Sequence, residues 1–126
     1  MEFKYDLKIK NDVAVVTFEG SLLSAYLGDE LLKEIKTTIE DDQIVKLVLD
    51  LKHLDYLNSS GLGILIRILT KARQANGECA IINVNERLKK LFVITKLDTL
   101  FIIENNLSDA TSKLNQAMGT KETEKK

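Results

Sequence analysis

The sequence has no proline and no tryptophan, and its 126 residues include only six glycines. Because proline and glycine mark linkers and irregular segments, their scarcity argues against a multi-domain or low-complexity chain, and no internal repeat is present. The length suits one globular domain with a single core. We therefore expect one domain over residues 1–118. The tail at residues 119–126 has no apolar side chain to bury, and we expect it to be disordered.

Cysteine is scarce, and long apolar runs and an excess of one charge are missing. The one cysteine, Cys79, cannot form an internal disulfide, and its apolar surroundings predict a buried thiol in a reducing compartment. Lys and Arg total 18 against 19 Asp and Glu, so no overall field attracts nucleic acid or an anionic membrane. No signal-peptide segment and no run of about 18 apolar residues is present. These absences predict a cytoplasmic protein without membrane insertion.

Two hydrophobic patterns alternate along the chain. Period-two alternation or a short apolar run predicts strands at 3–9, 13–17, 44–51, 78–84 and 101–103, the last at a sheet edge. Helical spacing predicts helices at about 27–39 and 62–75, a third after the N-cap Asn85 and a fourth after the N-cap Ser108. The order ββαβαβαβα predicts an α/β fold, with a mixed four- to five-stranded sheet that begins with a β-hairpin and packs against about four helices.

The turn LNSSGLG lies between a predicted buried strand and an amphipathic helix, where open α/β sheets usually place function. Side-chain oxygens of Asn58, Ser59 or Ser60 can accept hydrogen bonds from the free N–H groups of the first helical turn. Gly61 and Gly63 let another backbone or a phosphate approach closely. The turn is therefore the candidate functional site.

A serine phosphate in this turn would lie near the positive end of the helix dipole and add about 1.5 to 2 negative charges. The fold tolerates such a charge. An apolar partner surface packed over Gly61, Leu62 and Ile64 does not, because desolvating an unpaired charge costs several kcal/mol. These properties suit a binding switch. The same residues also suit a serine that only caps the helix, and residue spacing alone leaves both interpretations open.

The helix after the turn offers two further candidates. Its predicted core-facing stripe consists of Leu62, Leu65, Ile66, Leu69 and Ala72. Ile64 and Ile68 fall outside that stripe, one turn apart and beside Arg67, and are candidates to dock a partner. Alternatively, a neighbouring helix such as the one that carries Leu91 covers them.

Catalytic and metal-binding patterns are missing from the sequence. The single histidine, His53, has no companion at metal-ligand or nucleophile–base spacing, and we expect it in a solvated loop. The serine turn is not a Gly-x-Ser-x-Gly elbow, and no lysine follows its glycines as in a phosphate-binding loop. We therefore predict that the protein is not an enzyme and needs no metal or cofactor.

Residues 47–51 (LVLDL) followed by 57–65 (LNSSGLGIL) resemble the signature of STAS-domain anti-sigma factor antagonists. The resemblance extends through nearly the whole chain. It begins with the opening hairpin that ends at Glu19-Gly20, and it includes residues 87–92 and 96–101, which are similar to the closing segment of that family. It implies the STAS fold and a regulatory role.

In that family, the unphosphorylated antagonist captures an anti-sigma factor that is also a serine kinase, and this frees a sigma factor for RNA polymerase. Phosphorylation of one serine ends the capture, and a serine phosphatase resets it. The resemblance implies that this acceptor is Ser59, the first serine of the Ser-Ser-Gly motif, and that no direct contact with nucleic acid is made. The expected partner-binding residues are Asn58, Ser60, Gly61, Leu62, Gly63, Ile64, Arg67 and Ile68.

Two positions depart from the family pattern. Asn58 and Leu23 stand where sporulation and stress-response members commonly carry Asp, and Asn58 thereby removes a negative charge beside the acceptor. A different class of function is a constitutive STAS adaptor subunit of a transport or lipid-trafficking complex, in which the serine turn is only a helix cap. The host's neighbouring genes would separate the two.

Overall fold

The computed structural model describes residues 2–125, and side chains are described for residues 2–119. The strands are β1 (Lys4–Lys10), β2 (Val13–Leu22), β3 (Lys46–Leu57), β4 (Glu78–Ile82) and β5 (Ile102–Glu104). The helices are α1 (Asp29–Glu40), α2 (Ser59–Gln74), α3 (Glu86–Ile94) and α4 (Leu107–Lys125), with 3-10 turns at Ala25–Gly28 and Leu97–Thr99. The predicted order of strands and helices is confirmed.

The five strands form one sheet in the order β1-β2-β3-β4-β5. The hairpin β1–β2 is antiparallel, from Lys4 opposite Glu19 to Lys10 opposite Val13. The other three strand pairs are parallel, and a helix connects the strands of each pair. The predicted mixed α/β sheet, with β5 at its edge, is therefore confirmed. Because β3 and β4 are parallel neighbours, α2 and α3 both begin at the same end of the sheet, where these two strands have their carboxyl ends.

Helices cover both faces of the sheet. On one face, buried side chains of α1, α2 and α3 pack against β2, β3 and β4. On the other face, Ala110 and Leu114 of α4 pack against Val15 and Val48. Leu47, Val48 and Leu49 of β3 are buried between the two layers of helices, as the nearly continuous apolar run of this segment predicts. Cys79 is fully buried within this core, which confirms the expectation of a structural thiol.

Strand β3 is longer than predicted and ends at Leu57 rather than at residue 51. Its register against β2 shifts between Thr17 and Glu19 and again between Gly20 and Ser21, and each shift leaves one extra residue on β3. An extra residue interrupts the alternation of inward and outward side chains, so the second half of the strand does not show period two in the sequence. Gly20, at the second shift, has a φ of 89°, which favours glycine.

Two smaller expectations are corrected. His53 is exposed as expected, but it lies on β3 rather than in a loop, since the strand continues past it. The N-cap of α4 is Asn106 rather than Ser108, because Asn106 Oδ1 accepts a hydrogen bond from the N–H of Asp109 at 2.8 Å. The N-cap predicted for α3 is confirmed by the bond from the Leu88 N–H to Asn85 Oδ1 at 2.9 Å.

The C-terminal helix reaches into the segment for which the sequence predicted disorder. Helix α4 is bounded by Leu107 and Lys125, whereas the predicted tail covers residues 119–126. From residue 120 onward the side chains lie outside the described residues, as does residue 126 altogether. The behaviour of the tail stays a prediction.

Candidate partner-binding site at the start of α2

Asn58 is the N-cap of α2, and its side chain connects the first turn of α2 to the residue that follows β2. Its backbone is extended, and its Oδ1 accepts a hydrogen bond from the N–H of Gly61 at 3.0 Å. Its Nδ2 donates to the carbonyl oxygen of Leu23 at 2.9 Å. One amide side chain therefore caps the helix and holds the end of β2 beside it. An aspartate could accept the first bond but could not donate the second, so the two departures from the family pattern, at Asn58 and at Leu23, are in direct contact.

Ser59 and Ser60 are the first two residues of α2, and both are exposed. Helix α2 thus begins three residues before the predicted start at Leu62. Among the residues whose side chains are described, neither serine forms a side-chain hydrogen bond, and the cap is supplied by Asn58 instead. The interpretation in which a serine serves only as the helix cap is therefore wrong, because another residue does that work.

The two glycines of the turn have different roles. A Cβ atom added at Gly61 would overlap the carbonyl oxygen of Leu22 and the side chain of Leu57. The close approach predicted at Gly61 is therefore made by this chain's own β2. At Gly63 an added Cβ would have no heavy atom within 4 Å apart from its chain neighbours and the backbone of its own helix. Gly63 is half-buried, and the space above it is open.

Several residues predicted to contact a partner are instead packed in the core. Ile64 and Ile68 are 1% and 0% exposed, and Leu62 is 7% exposed. Ile64 packs against the 3-10 turn that precedes α1, so closely that a Cβ added at Gly28 would lie 2.7 Å from Ile64 Cδ1. For Ile64 the covering element is thus this 3-10 turn and not the helix that carries Leu91. This corrects the expectation that Leu62, Ile64 and Ile68 form a docking surface.

The predicted core stripe of α2 is corrected in the same way. Ile66, assigned to the stripe, is 38% exposed, while Leu65, Leu69 and Ala72 are buried as expected. Because α2 is covered on one side by the sheet and on another by the 3-10 turn, its buried sector is wider than a single stripe and is rotated away from Ile66.

An exposed face therefore begins at the serines and continues along α2. Residues four and seven positions after Ser59 lie on the same side of a helix as Ser59 itself. We call this surface the Ser59 face; it consists of Leu23, Asn58, Ser59, Ser60, Gly63, Ile66 and Arg67. Leu23 is 45% exposed and joins the face through its bond to Asn58. Exposure of Leu23 and Ile66 could not be predicted from the sequence, since an apolar residue in a loop or a helix is assigned to the core by default.

The electrostatics at the start of α2 favour an added anion. The first turn of α2 has no acidic residue, while Lys71 and Arg73 lie in its last turn. Free N–H groups and the helix dipole place partial positive charge at the first turn, which stabilises a nearby negative group by about 0.3–1 kcal/mol. A phosphate on Ser59 would be placed there without any neighbouring carboxylate in that turn.

No alternative chemistry is apparent in the part of the chain that the structure describes. It contains no cluster of His, Cys, Asp and Glu suited to a metal ion. Burial raises the pKa of the Cys79 thiol well above its ordinary value, so this sulfur is protonated and is not a nucleophile. None of the helices in residues 2–125 combines the length and apolar character required to cross a membrane.

Comparison with known proteins identifies the fold and its family. Residues 4–110 match the family model of the STAS domain. The chain belongs to the STAS domain family. It is 26% identical over 114 residues to the anti-sigma F factor antagonist of Paenibacillus polymyxa, covering 90% of this chain and 97% of that relative. It is 32% identical over 81 residues to the anti-sigma-B factor antagonist of Staphylococcus aureus, covering 64% of this chain and 74% of that relative.

The STAS fold is also evident from solved structures. The Bacillus cell fate determinant SpoIIAA, in its phosphorylated form, superposes with a TM-score of 0.67 at 16% sequence identity, covering 87% of this chain and 98% of that one. The STAS architecture expected from the resemblance is confirmed, and the two relatives compared by sequence are anti-sigma factor antagonists.

Proposed function

We propose that this STAS-domain protein is an anti-sigma factor antagonist that binds a kinase-type anti-sigma factor while Ser59 is unphosphorylated and releases it when Ser59 is phosphorylated. The observation that carries the proposal is the state of Ser59: it is exposed at the first position of α2 and has no part in capping the helix. Its hydroxyl is therefore free for chemistry that leaves the fold intact.

The proposed switch depends on the difference between the free protein and the complex. In the free protein a phosphate on Ser59 is solvated and lies at the positive end of α2. In a complex the same phosphate loses its water, and burying a charge without a partner costs several kcal/mol. A loss of about 4 kcal/mol in binding free energy weakens affinity roughly a thousandfold. One phosphate can therefore end the capture.

The partner-binding surface in this proposal is the Ser59 face. Its exposed members Asn58, Ser60 and Arg67 and the half-buried Gly63 retain their proposed role, whereas Gly61 shapes the turn from within. The open space above Gly63 admits close approach of a partner backbone. A serine phosphatase would reset the switch, and the exchange would take place in the cytoplasm without catalysis by this chain and without direct contact with nucleic acid.

The experiment uses the purified protein with each kinase-type anti-sigma factor encoded in the source genome. We expect one of them to bind the wild type and Ser59→Ala, to bind Ser59→Asp at least about tenfold more weakly, and to phosphorylate the wild type on Ser59 in the presence of ATP. Ser112→Asp is the matched control, because it adds the same charge at an exposed serine of α4, away from the Ser59 face, and should bind like the wild type. Affinity is measured by calorimetry and the phosphorylated residue by mass spectrometry.

Equal binding of Ser59→Asp and the wild type to every candidate would rule out the charge switch. Binding that ignores the state of Ser59, together with partners drawn from a transport complex, would instead assign the chain to the adaptor class. If Ser60 rather than Ser59 carries the phosphate, the assignment of the acceptor is wrong while the switch itself stands.

A further inference from the structure

Helix α3 has an apolar ridge that the fold does not use. It buries Leu88 and Phe92, which are 2% and 1% exposed, against the sheet. On its other side Val93 and Ile94 are 61% and 79% exposed. Two adjacent apolar side chains on one short helix, exposed to this extent, add nothing to the stability of the free protein. Exposed apolar surface of this kind is typical of an interaction site.

Beside this ridge lies a concave groove. It has a volume of about 340 Å³ and is formed between the end of β3 and α3. We call it the α3 groove; its principal lining residues are Tyr56, Leu57, Arg87, Lys90, Leu91 and Ile94. The guanidinium carbon of Arg87 lies 4.9 Å from the centre of the Tyr56 ring, and Tyr56 is itself 56% exposed. The groove therefore has an apolar floor and wall with a cation at its rim.

The α3 groove adjoins the Ser59 face. Leu57 lines the groove and immediately precedes Asn58, the N-cap of α2. Helices α2 and α3 also begin at the same end of the sheet, since they follow the carboxyl ends of the parallel neighbours β3 and β4. A partner that covers Ser59 is thus already positioned beside the groove, and occupation of both surfaces requires only one continuous interface.

The charge around the groove differs from that of the whole chain. The chain has a net charge of -1, yet Arg87 and Lys90 line the groove, with Lys89 on the neighbouring ridge, against the single lining carboxylate of Asp55. Lys89 is paired with Glu86 at 3.4 Å. Among the residues with described side chains, no ion pair involves Lys90 or Arg87. An occupant with acidic residues beside an apolar one would be complementary to this surface.

We infer that the α3 groove is a second docking site, which binds an acidic amphipathic segment of the same anti-sigma factor that covers the Ser59 face. This inference rests on the proposed function and names the chemistry of the partner's second contact. An apolar side chain of that segment fills the groove between Tyr56, Leu91 and Ile94, and its carboxylates pair with Lys90 and Arg87. Apolar burial supplies affinity, and the charges supply association rate and orientation.

Two other occupants fit the surface less well. A second copy of this chain would place Lys89, Lys90 and Arg87 opposite their own counterparts, and like charges across an interface are repulsive. A bilayer surface is flat, whereas the groove is concave, and the exposed apolar side chains of α3 are limited to Val93 and Ile94, which is less than the broad apolar face with which a helix enters a membrane.

The second contact would strengthen the switch at Ser59. A phosphate there adds about 1.5 to 2 negative charges close to where the acidic segment of the partner must lie. Repulsion between the two adds to the desolvation of the phosphate itself. Because such interactions are screened over about 10 Å at 0.1 M ionic strength, binding of the unphosphorylated protein should weaken as salt is added.

The test uses the full chain and the anti-sigma factor identified through the Ser59 variants. We expect Lys90→Glu to raise the Kd by about tenfold at low salt and to reduce its dependence on salt, and Ile94→Ala to raise the Kd by about fivefold. The matched controls are Lys36→Glu on α1 and Ile9→Ala on β1, an exposed lysine and an exposed isoleucine away from both surfaces. Both should bind within about twofold of the wild type. Circular dichroism confirms that each variant is folded.

Each outcome decides the inference. If Ser59→Asp loses binding while Lys90→Glu and Ile94→Ala bind like the controls, the α3 groove is not a docking site and the proposed function stands. If no anti-sigma factor binds the wild type at all, both fall. Restoration of Lys90→Glu binding by an acid-to-lysine change in the partner supports the inference. Self-association abolished by Ile94→Ala, or binding to phosphatidylglycerol vesicles that Lys90→Glu abolishes, would overturn it in favour of another occupant.

Discussion

At the scale of single residues, the candidate site depends on one amide. The side chain of Asn58 uses its oxygen for Gly61 and its nitrogen for Leu23. Aspartate has the same shape but two acceptor oxygens, so it could make only the first of these bonds. The neutral amide at this position therefore has a structural role, because its N–H group bonds the residue that follows β2. Asn85 provides the comparison, since it caps α3 through its oxygen at 2.9 Å.

This difference predicts distinct results for the same substitution at the two caps. Asn85→Asp keeps the cap acceptor, and we expect it to change the free energy of unfolding by less than about 0.5 kcal/mol. Asn58→Asp loses the bond to Leu23 and places a carboxylate against a carbonyl oxygen, so we expect a loss of about 1–2 kcal/mol. Urea unfolding at neutral pH measures both. Equal effects would mean that the bond from Asn58 to Leu23 does not contribute to stability.

At the scale of secondary-structure elements, the close contact between α2 and the end of β2 determines the shape of the site. The carbonyl of Leu22 lies where a side chain at Gly61 would need to be, whereas nothing occupies the corresponding space at Gly63. Both glycines lie in one helical turn, and the local sequence does not indicate which of them has room for a side chain. Only the packing of the helix against the strand distinguishes them.

Alanine substitution should therefore have opposite effects at these two positions. Gly61→Ala forces the helix away from β2, and we expect a loss of at least about 2 kcal/mol in the free energy of unfolding. Gly63→Ala fits without contact and replaces a poor helix former, so we expect a gain of about 0.5–1 kcal/mol. Thermal and urea unfolding compare the two variants with the wild type. Destabilisation of similar size at both positions would contradict the packing described for Gly61.

The same elements show what could be predicted from the sequence. The order of strands and helices follows from hydrophobic period alone, and the serine turn was located because it joins a buried strand to an amphipathic helix. The second half of β3 could not be predicted, since two register shifts disrupt its alternation. The element that buries Ile64 could not be predicted, because it is a 3-10 turn that packs through Gly28, thirty-six positions earlier in the chain. Long-range packing of this kind has no local signature.

At the scale of the whole molecule, the sheet is covered by helices on both faces and buries one thiol, whose reactivity reports on opening of the core. Cys79 lies on β4, fully buried in the core formed with α2. Burial raises its pKa, since desolvation disfavours the thiolate, and the neighbouring charge of Glu78 acts in the same direction. A thiol reagent needs both access and the thiolate. In the folded protein Cys79 offers neither, so labelling requires an opening of the core.

We therefore expect Cys79 to react with a disulfide reagent at least about a thousandfold more slowly in the native protein than in the urea-unfolded chain, as the small population of opened molecules dictates. The rate should rise with urea before the main unfolding transition, and it should rise further in Gly61→Ala, whose core opens more readily. The control is a Cys79→Ala chain with Ser112→Cys on the exposed side of α4, which should react at nearly the unfolded rate without urea. Rapid labelling of native Cys79 would show that β4 opens independently of the rest of the sheet, and the molecule would then not behave as one cooperative unit.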